Sequence, residues 1–253
     1  MTGEELQQAR AARWQALQPD HVSSAALRAW VREIGFAELP ALEAWALEAP
    51  AWVEAELAAL HLIELAVWPG VHRYVPVELL EYIYVAVGDR HPRSDFRKQA
   101  SRGQISWLAA EVFEQLLAAP GPLGPADLRE RLGTERTSLL GLERALAELA
   151  PSLKVIRVGR GIWRPLVLAL PRVPAAMDQV SLAAAAAALV SHWLDVNICD
   201  TEAGIAAYFA PLLSRSRIHD ALNALETARQ VTIDTLDGQS AFRLVTAKVE
   251  APL

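Results

Sequence analysis

A mainly α protein carrying small β-hairpins, built as three tandem units, is what this sequence predicts, on three observations. Apolar residues recur at helical spacing through most of the chain. Three pairs of short β-rich runs each flank a tight turn, at Pro69-Gly70, Gly159-Arg160-Gly161 and Asp237-Gly238. Each pair follows the same order of elements: a helix, a short helix, then a longer helix. That order is the signature of the winged helix, a helix-turn-helix variant whose hairpin forms the wing. The copies fall near residues 24–78, 105–170 and 181–246, and they differ in sequence, so the pattern recurs without a fixed period.

The first copy takes its helices from Ala25–Ile34, Ala41–Leu47 and Pro50–Leu62, and its hairpin from Leu62–Ala66 and Val71–Val75. A further helix at about Glu4–Leu17 is expected to pack on the outside of this unit. The second copy is the most regular. Ile105, Leu108, Val112, Phe113, Leu116 and Leu117 share one face of a helix that Pro120-Gly121-Pro122 stops. Ala126–Leu132 is a short helix ended by Gly133, and Thr134–Thr137 offers caps to a third helix with a stripe of Leu139, Leu142, Leu146 and Leu149. Val155–Val158 and Ile162–Leu170 then form strand, turn and strand.

In the third copy, the alanine-rich run Leu182–Leu194 is strongly helical. Thr201 caps a short helix to Phe209, and Ser214 opens the third helix, with Ile218, Leu222 and Leu225 inward. Val231–Ile233 and Ala241–Val245 complete the hairpin around Asp237-Gly238. The expected domains are residues 1–86, 87–175 and 176–253.

Composition narrows the class. With 53% apolar residues the chain can bury a substantial core. No apolar run reaches the about 18 residues that span a bilayer. The acidic start, Met1-Thr2-Gly3-Glu4-Glu5, does not read as a signal peptide. A single cysteine, Cys199, permits neither an internal disulfide nor a cysteine-rich metal site. A cytoplasmic protein without a metal or other cofactor is the expectation.

The net charge of −6 is unevenly spread. Residues 1–86 hold 5 Lys and Arg against 12 Asp and Glu, residues 87–175 hold 14 against 9, and residues 176–253 hold 5 against 9. Only the middle third suits a phosphate backbone. Its cations form two clusters: Arg90, His91, Arg93, Arg97, Lys98 and Arg102 in a polar linker, and Lys154, Arg157, Arg160, Arg164 and Arg172 in the second wing. Arg160, between two glycines at the wing tip, is suited to enter a minor groove. Solvation of a linker and protection of a strand edge would also place basic residues here.

The third helices differ. Glu54 and Glu56 on the first would repel phosphates, and on the second Arg136 and Arg144 are balanced by Glu135, Glu143 and Glu148. On the third, Ser214-Arg215-Ser216-Arg217-Ile218-His219 presents hydroxyls and bases at the end that meets base edges in recognition helices. His61, Glu64 and His72 match no metal-ligand spacing. Trp163, beside the wing tip, is a candidate to stack on a base, and Trp45 and Trp52 are candidate anchors for a protein partner or a homodimer through the acidic first unit.

The segment Leu62-Ile63-Glu64-Leu65-Ala66-Val67-Trp68-Pro69-Gly70-Val71-His72-Arg73-Tyr74-Val75-Pro76-Val77-Glu78-Leu79 resembles the AlkZ-type winged-helix DNA glycosylases. They show a glycine, a histidine and an apolar-Pro step here, matched by Gly70, His72 and Val75-Pro76. The order is similar later too, at Pro122-Leu123-Gly124-Pro125-Ala126-Asp127-Leu128 and from Ala188-Leu189-Val190 onward, so the resemblance spans roughly residues 24–245. It implies tandem winged helices around a DNA channel and hydrolysis of the glycosidic bond of alkylated or crosslinked purines in an extruded nucleotide. The family places Gln-x-Asp or Gln-x-Gln after a Gly-apolar step. Here Gly35-Phe36-Ala37-Glu38-Leu39-Pro40 puts Glu38 at the glutamine and Pro40 at the second polar position. A glutamate can still polarise water; a proline supplies no polar side chain.

The sequence therefore predicts a double-stranded DNA-binding protein, non-catalytic or a degenerate relative of those glycosylases, with Arg93, Arg97, Lys98, Arg102, Lys154, Arg157, Arg160, Arg164, Arg215 and Arg217 as the contacts. The alternatives are a protein-interaction scaffold and an active glycosylase with Glu38 as its catalytic residue.

Overall fold

The structure is a computed structural model that describes residues 2–18, 23–68, 70–135 and 137–245, the side chains of Leu39 and Trp45 excepted. The chain forms two compact units, one of residues 19–181 and one of residues 1–18 with 182–253. Helix α1 (Gly3–Leu17) opens on a capping box between Thr2 and Glu5.

In the larger unit, Ser23 caps α2 (Ser24–Ile34), which buries Leu27, Trp30, Val31 and Ile34. Gly35, at φ 74°, ends it in a conformation that suits glycine. Then come β1 (Ala37–Glu38), α3 (Leu39–Trp45) and α4 (Ala49–Ala58). The hairpin β2 (Leu62–Trp68) and β3 (Val71–Pro76) follows, with a bulge between Leu65 and Trp68. The sheet order is β1-β3-β2, with Ala37 opposite Tyr74 and Glu38 opposite Arg73. Leu62, Ile63, Leu65 and Val75 are wholly buried beneath it.

After the hairpin comes α5 (Val77–Val87), a helix that the sequence reading did not place, and the polar linker expected at Arg90–Arg102 holds α6 (Phe96–Ser101). Phe96 and Ala100, one turn apart, are the apolar face of α6, and the Phe96 ring meets Phe113 edge-on at 5.3 Å. Two apolar residues in a charged stretch are too few to show a helical period, which is why the linker reading failed.

Next come α7 (Trp107–Ala118), α8 (Pro125–Leu132) and α9 (Leu139–Leu149), the last capped by Ser138 rather than by the preceding threonines. They close on Val112, Phe113, Leu116, Leu128, Leu142, Leu146 and Leu149. In the hairpin β4 (Val155–Gly159) and β5 (Ile162–Pro165), the second strand stops at Pro165, short of the expected Leu170, and passes into α10 (Leu166–Ala169) and α11 (Arg172–Ala175). Proline cannot donate to a ladder but suits a helix start. Leu123 pairs with Trp163 of β5 through two backbone hydrogen bonds of 3.0 and 2.9 Å.

The second unit holds α12 (Leu182–Asn197), β6 (Asp200–Thr201), α13 (Glu202–Phe209), α14 (Arg215–Thr227), β7 (Val231–Leu236) and β8 (Gln239–Leu244). Thr201 and Ser214 cap α13 and α14 as their sequence positions predict. The sheet order is β6-β8-β7, and its core includes Leu189, Val190, Phe209, Ile218 and Leu222. Helix α1 packs on α12 here, not on the first unit as expected from its place in the sequence. Its polar residues decide that: Arg13 pairs with Asp195 at 3.2 Å and Arg10 donates to backbone carbonyls beyond α12.

One topology recurs. Between the first and second helix of each group a short segment (β1, Leu123, β6) pairs with the second hairpin strand (β3, β5, β8). No single helix among the described residues is long and apolar enough to cross a membrane.

Candidate nucleic-acid interface

Glu38 is the last residue of β1, and its side chain is 45% exposed. It accepts hydrogen bonds from Arg73 Nε at 3.2 Å and Nη2 at 2.9 Å, across the β1–β3 pair. Arg73 is held in turn with its guanidinium 4.4 Å from the centre of the Trp68 ring, and Phe36 meets Trp68 edge-on at 5.8 Å. The glutamate is thus tied across the sheet to Arg73. Pro40 lies in the first turn of α3 and contributes no polar atom.

Two residues expected to touch phosphates do not face solvent. Lys154 is 2% exposed, ion-paired with Asp89, and 5.9 Å from the centre of the Phe113 ring. Burial lowers its pKa to about 8. Asp89 is itself fixed, accepting from Gln99 at 3.1 Å, while Tyr84 donates to its carbonyl at 2.8 Å. Lys154 is therefore a structural cation that pins the segment after α5 to the second hairpin.

Arg157 is the other correction. Its side chain is 15% exposed and lies between two carboxylates, donating to Glu54 of α4 and Glu64 of β2. Burial alone would lower its pKa, but the two carboxylates hold it above the ordinary arginine value. Glu64 also meets His72 at 2.6 Å, and burial, with the Glu64 charge, pushes the Tyr74 phenol up to about 12. The cluster joins the first hairpin, α4 and the second hairpin, in agreement with the packing of β4 on α4 and β2.

The acidic helix of the first group changes meaning accordingly. Glu54 is spent on Arg157, and Glu56 is buried, accepting from Ser24 at 2.5 Å and paired with His61 at 2.8 Å and Arg28 at 3.7 Å. Neither forms the free acidic face expected of a protein-docking surface. Trp52 is half-buried, and Trp45 lies outside the described side chains. Among the described residues no cluster of His, Cys, Asp and Glu is placed to hold a metal ion.

The remaining cations are open. Arg160 is exposed at the tip of the second hairpin, with Gly159 and Gly161 both at positive φ, and Arg164 is half-exposed on β5. Neither forms an ion pair among the described residues. Arg93 and Arg102 are exposed, while Arg97 and Lys98 are exposed but paired with Glu114 and Asp95. Arg215 and Arg217 are exposed in the first turn of α14, after its Ser214 cap. Trp163, offered as a base-stacking residue, packs instead against the core of its own group. On α9 the exposed first turn is apolar, with Leu139 and Leu140 49% and 57% exposed.

No family model matches the chain, and no curated protein matches it in sequence. A solved structure does match: the Streptomyces sahachiroi DNA glycosylase AlkZ, at 16% identity and a TM-score of 0.58, over 93% of this chain and 68% of that chain. The chain has an AlkZ-like fold, as the resemblance read from the sequence implied.

Proposed function

We propose that this chain is a tandem winged-helix protein that binds double-stranded DNA and is a degenerate relative of the alkylpurine DNA glycosylases, without efficient base excision. The observation that carries the reading is the fold likeness to a DNA glycosylase along 93% of the chain. The recurring three-helix-plus-hairpin groups, each with a short segment paired to the second hairpin strand, support the winged-helix assignment. Arg160 and Arg164 at the second hairpin, Arg93, Arg97, Lys98 and Arg102 before it, and Arg215 and Arg217 on α14 are the phosphate or groove contacts; Lys154 and Arg157 are withdrawn from that set.

The case against efficient catalysis rests on Glu38 and Pro40. A carboxylate bonded twice to Arg73 has its charge opposed by the guanidinium, and Pro40 gives a water nothing to hold. Incubating a duplex that carries a methylated purine, then cleaving abasic sites with alkali, tests this directly. No excision above background is expected.

The second reading is an active glycosylase that uses Glu38. It is favoured by one observation: the Glu38 side chain is half-exposed and held in place by Arg73, open to a developing sugar cation. Rapid excision that disappears in Glu38→Ala would establish that reading in place of the first.

A further inference from the structure

We propose that α1 is a strap of the C-terminal unit, holding a strained turn at one end and the third hairpin at the other, so that this hairpin is locked onto its own unit. Three contacts carry the inference. The first lies just beyond α12. Ile198 sits at φ 69°, a left-handed conformation that a β-branched residue rarely adopts. Arg10 of α1 donates from Nε to the Asn197 carbonyl at 2.9 Å and from Nη2 to the Cys199 carbonyl at 2.6 Å, the two carbonyls flanking that residue. The same guanidinium lies 3.8 Å from Asp200, which accepts from Trp193 Nε1 at 3.0 Å and begins β6. One arginine thus secures the turn between α12 and the sheet.

The second contact is at the hairpin. Asp237, at φ 49°, forms the β7–β8 turn with Gly238, and its Oδ1 accepts from the Gly3 backbone N–H at 2.8 Å. Gly3 is the first residue of α1, so the carboxylate also meets the positive end of the helix dipole. The approach is close: a Cβ added at Gly3 would lie 2.6 Å from Asp237 Oδ2. The third contact, Arg13 to Asp195 at 3.2 Å, holds the middle of the strap along α12, and Leu6 is buried between the two ends.

A strap of this kind makes the third hairpin different from a free wing: its turn is occupied from within the chain. Releasing α1 frees the hairpin and relaxes Ile198 together. The claim concerns order within the C-terminal unit, and it stands or falls independently of DNA binding.

Hydrogen exchange on the full chain tests it. In Arg10→Ala, amides of residues 195–201 and 231–244 are expected to exchange about tenfold faster or more, with residues 23–181 unchanged. In Asp237→Ala, the gain is confined to the hairpin and the first turn of α1. Gly3→Ala is expected to reproduce the hairpin effect by displacing the carboxylate, with Asp237 still present. Should Arg10→Ala fail to fold, the exposed Asp237→Ala and Gly3→Ala variants decide alone. Wild-type protection of residues 231–244 in both would overturn the proposal, as would faster exchange spread equally over residues 23–181.

Discussion

Helices α4 and α14 hold the same place in their groups, third helix before a hairpin, yet they have opposite fates. Helix α4 lies against the second hairpin, with Glu54 bonded to Arg157 and Glu56 buried with Ser24 and His61. Helix α14 keeps Arg215 and Arg217 exposed. The difference teaches that formal charge along a sequence is not surface charge. The acids of the first group and the bases of the second hairpin partly cancel inside one compact unit, so the positive middle third offers fewer free cations than its composition indicates. What it keeps open is the hairpin tip.

The largest effect is expected on removing one of the two carboxylates that hold Arg157. Glu64→Ala would leave a mostly buried guanidinium with one partner and is expected to lower stability by about 3 kcal/mol in chemical denaturation. Arg160→Ala, at the tip of the same hairpin, is expected to change stability by less than about 0.5 kcal/mol. Equal effects would mean that the base and tip of the hairpin are not distinct.

Lys154 gives a pH signature that no exposed lysine shares. Its folded pKa of about 8 lies below the ordinary lysine value of 10.5. Between those values the native chain has released a proton that the unfolded chain still binds, so stability gains a contribution that rises with pH across that window. Tyr74 acts in the opposite sense. Raised to about 12 from 10.0, it withdraws stability as pH climbs between those two values. Lys154→Met is expected to flatten the rise above pH 8 in denaturation curves, and Tyr74→Phe to lessen the later fall, to which the buried Tyr84 phenol, also pushed up to about 12, contributes in the same sense. A wild-type profile that falls steadily from pH 8 to 10 would contradict the Lys154 assignment.

On the DNA side, Arg215→Ala with Arg217→Ala tests whether the open face of α14 contributes. A loss of about tenfold in duplex affinity is expected, with stability unchanged within about 0.5 kcal/mol, since neither side chain is buried.

Much of the fold was legible because its signals are local. Asp237-Gly238 fixes a hairpin turn, Ser214 and Thr201 cap their helices where placed, and Leu142, Leu146 and Leu149 of α9 share a buried face, while Leu139 of the expected stripe is exposed. The short strands β1 and β6 and the Leu123 bridge were not legible, because one or two residues carry no alternation to read. The chain order also misassigned α1, since the Arg10 and Arg13 partners lie more than 180 residues away. At the candidate site, Arg160 stood out between two glycines at a turn and is exposed there, whereas Arg164, picked for its charge, is half-exposed on β5. Lys154 and Arg157 stood out for charge alone and were misread, because Lys154 pairs with Asp89, and Arg157 with Glu54 and Glu64 at 103 and 93 residues away, and nothing in the sequence pairs them.

On the proposed function, the chain grips double-stranded DNA through cations left open at the second hairpin. Fluorescence anisotropy with a plain duplex, from about 50 to 200 mM salt, tests it most directly on wild type and on Arg160→Glu/Arg164→Glu. Wild-type affinity should fall steeply with salt, and the variant should lose most binding at low salt, with a shallower slope and unchanged stability. Salt-sensitive binding that survives both reversals at wild-type strength, or no duplex binding by the wild type even at 50 mM salt, would contradict the account.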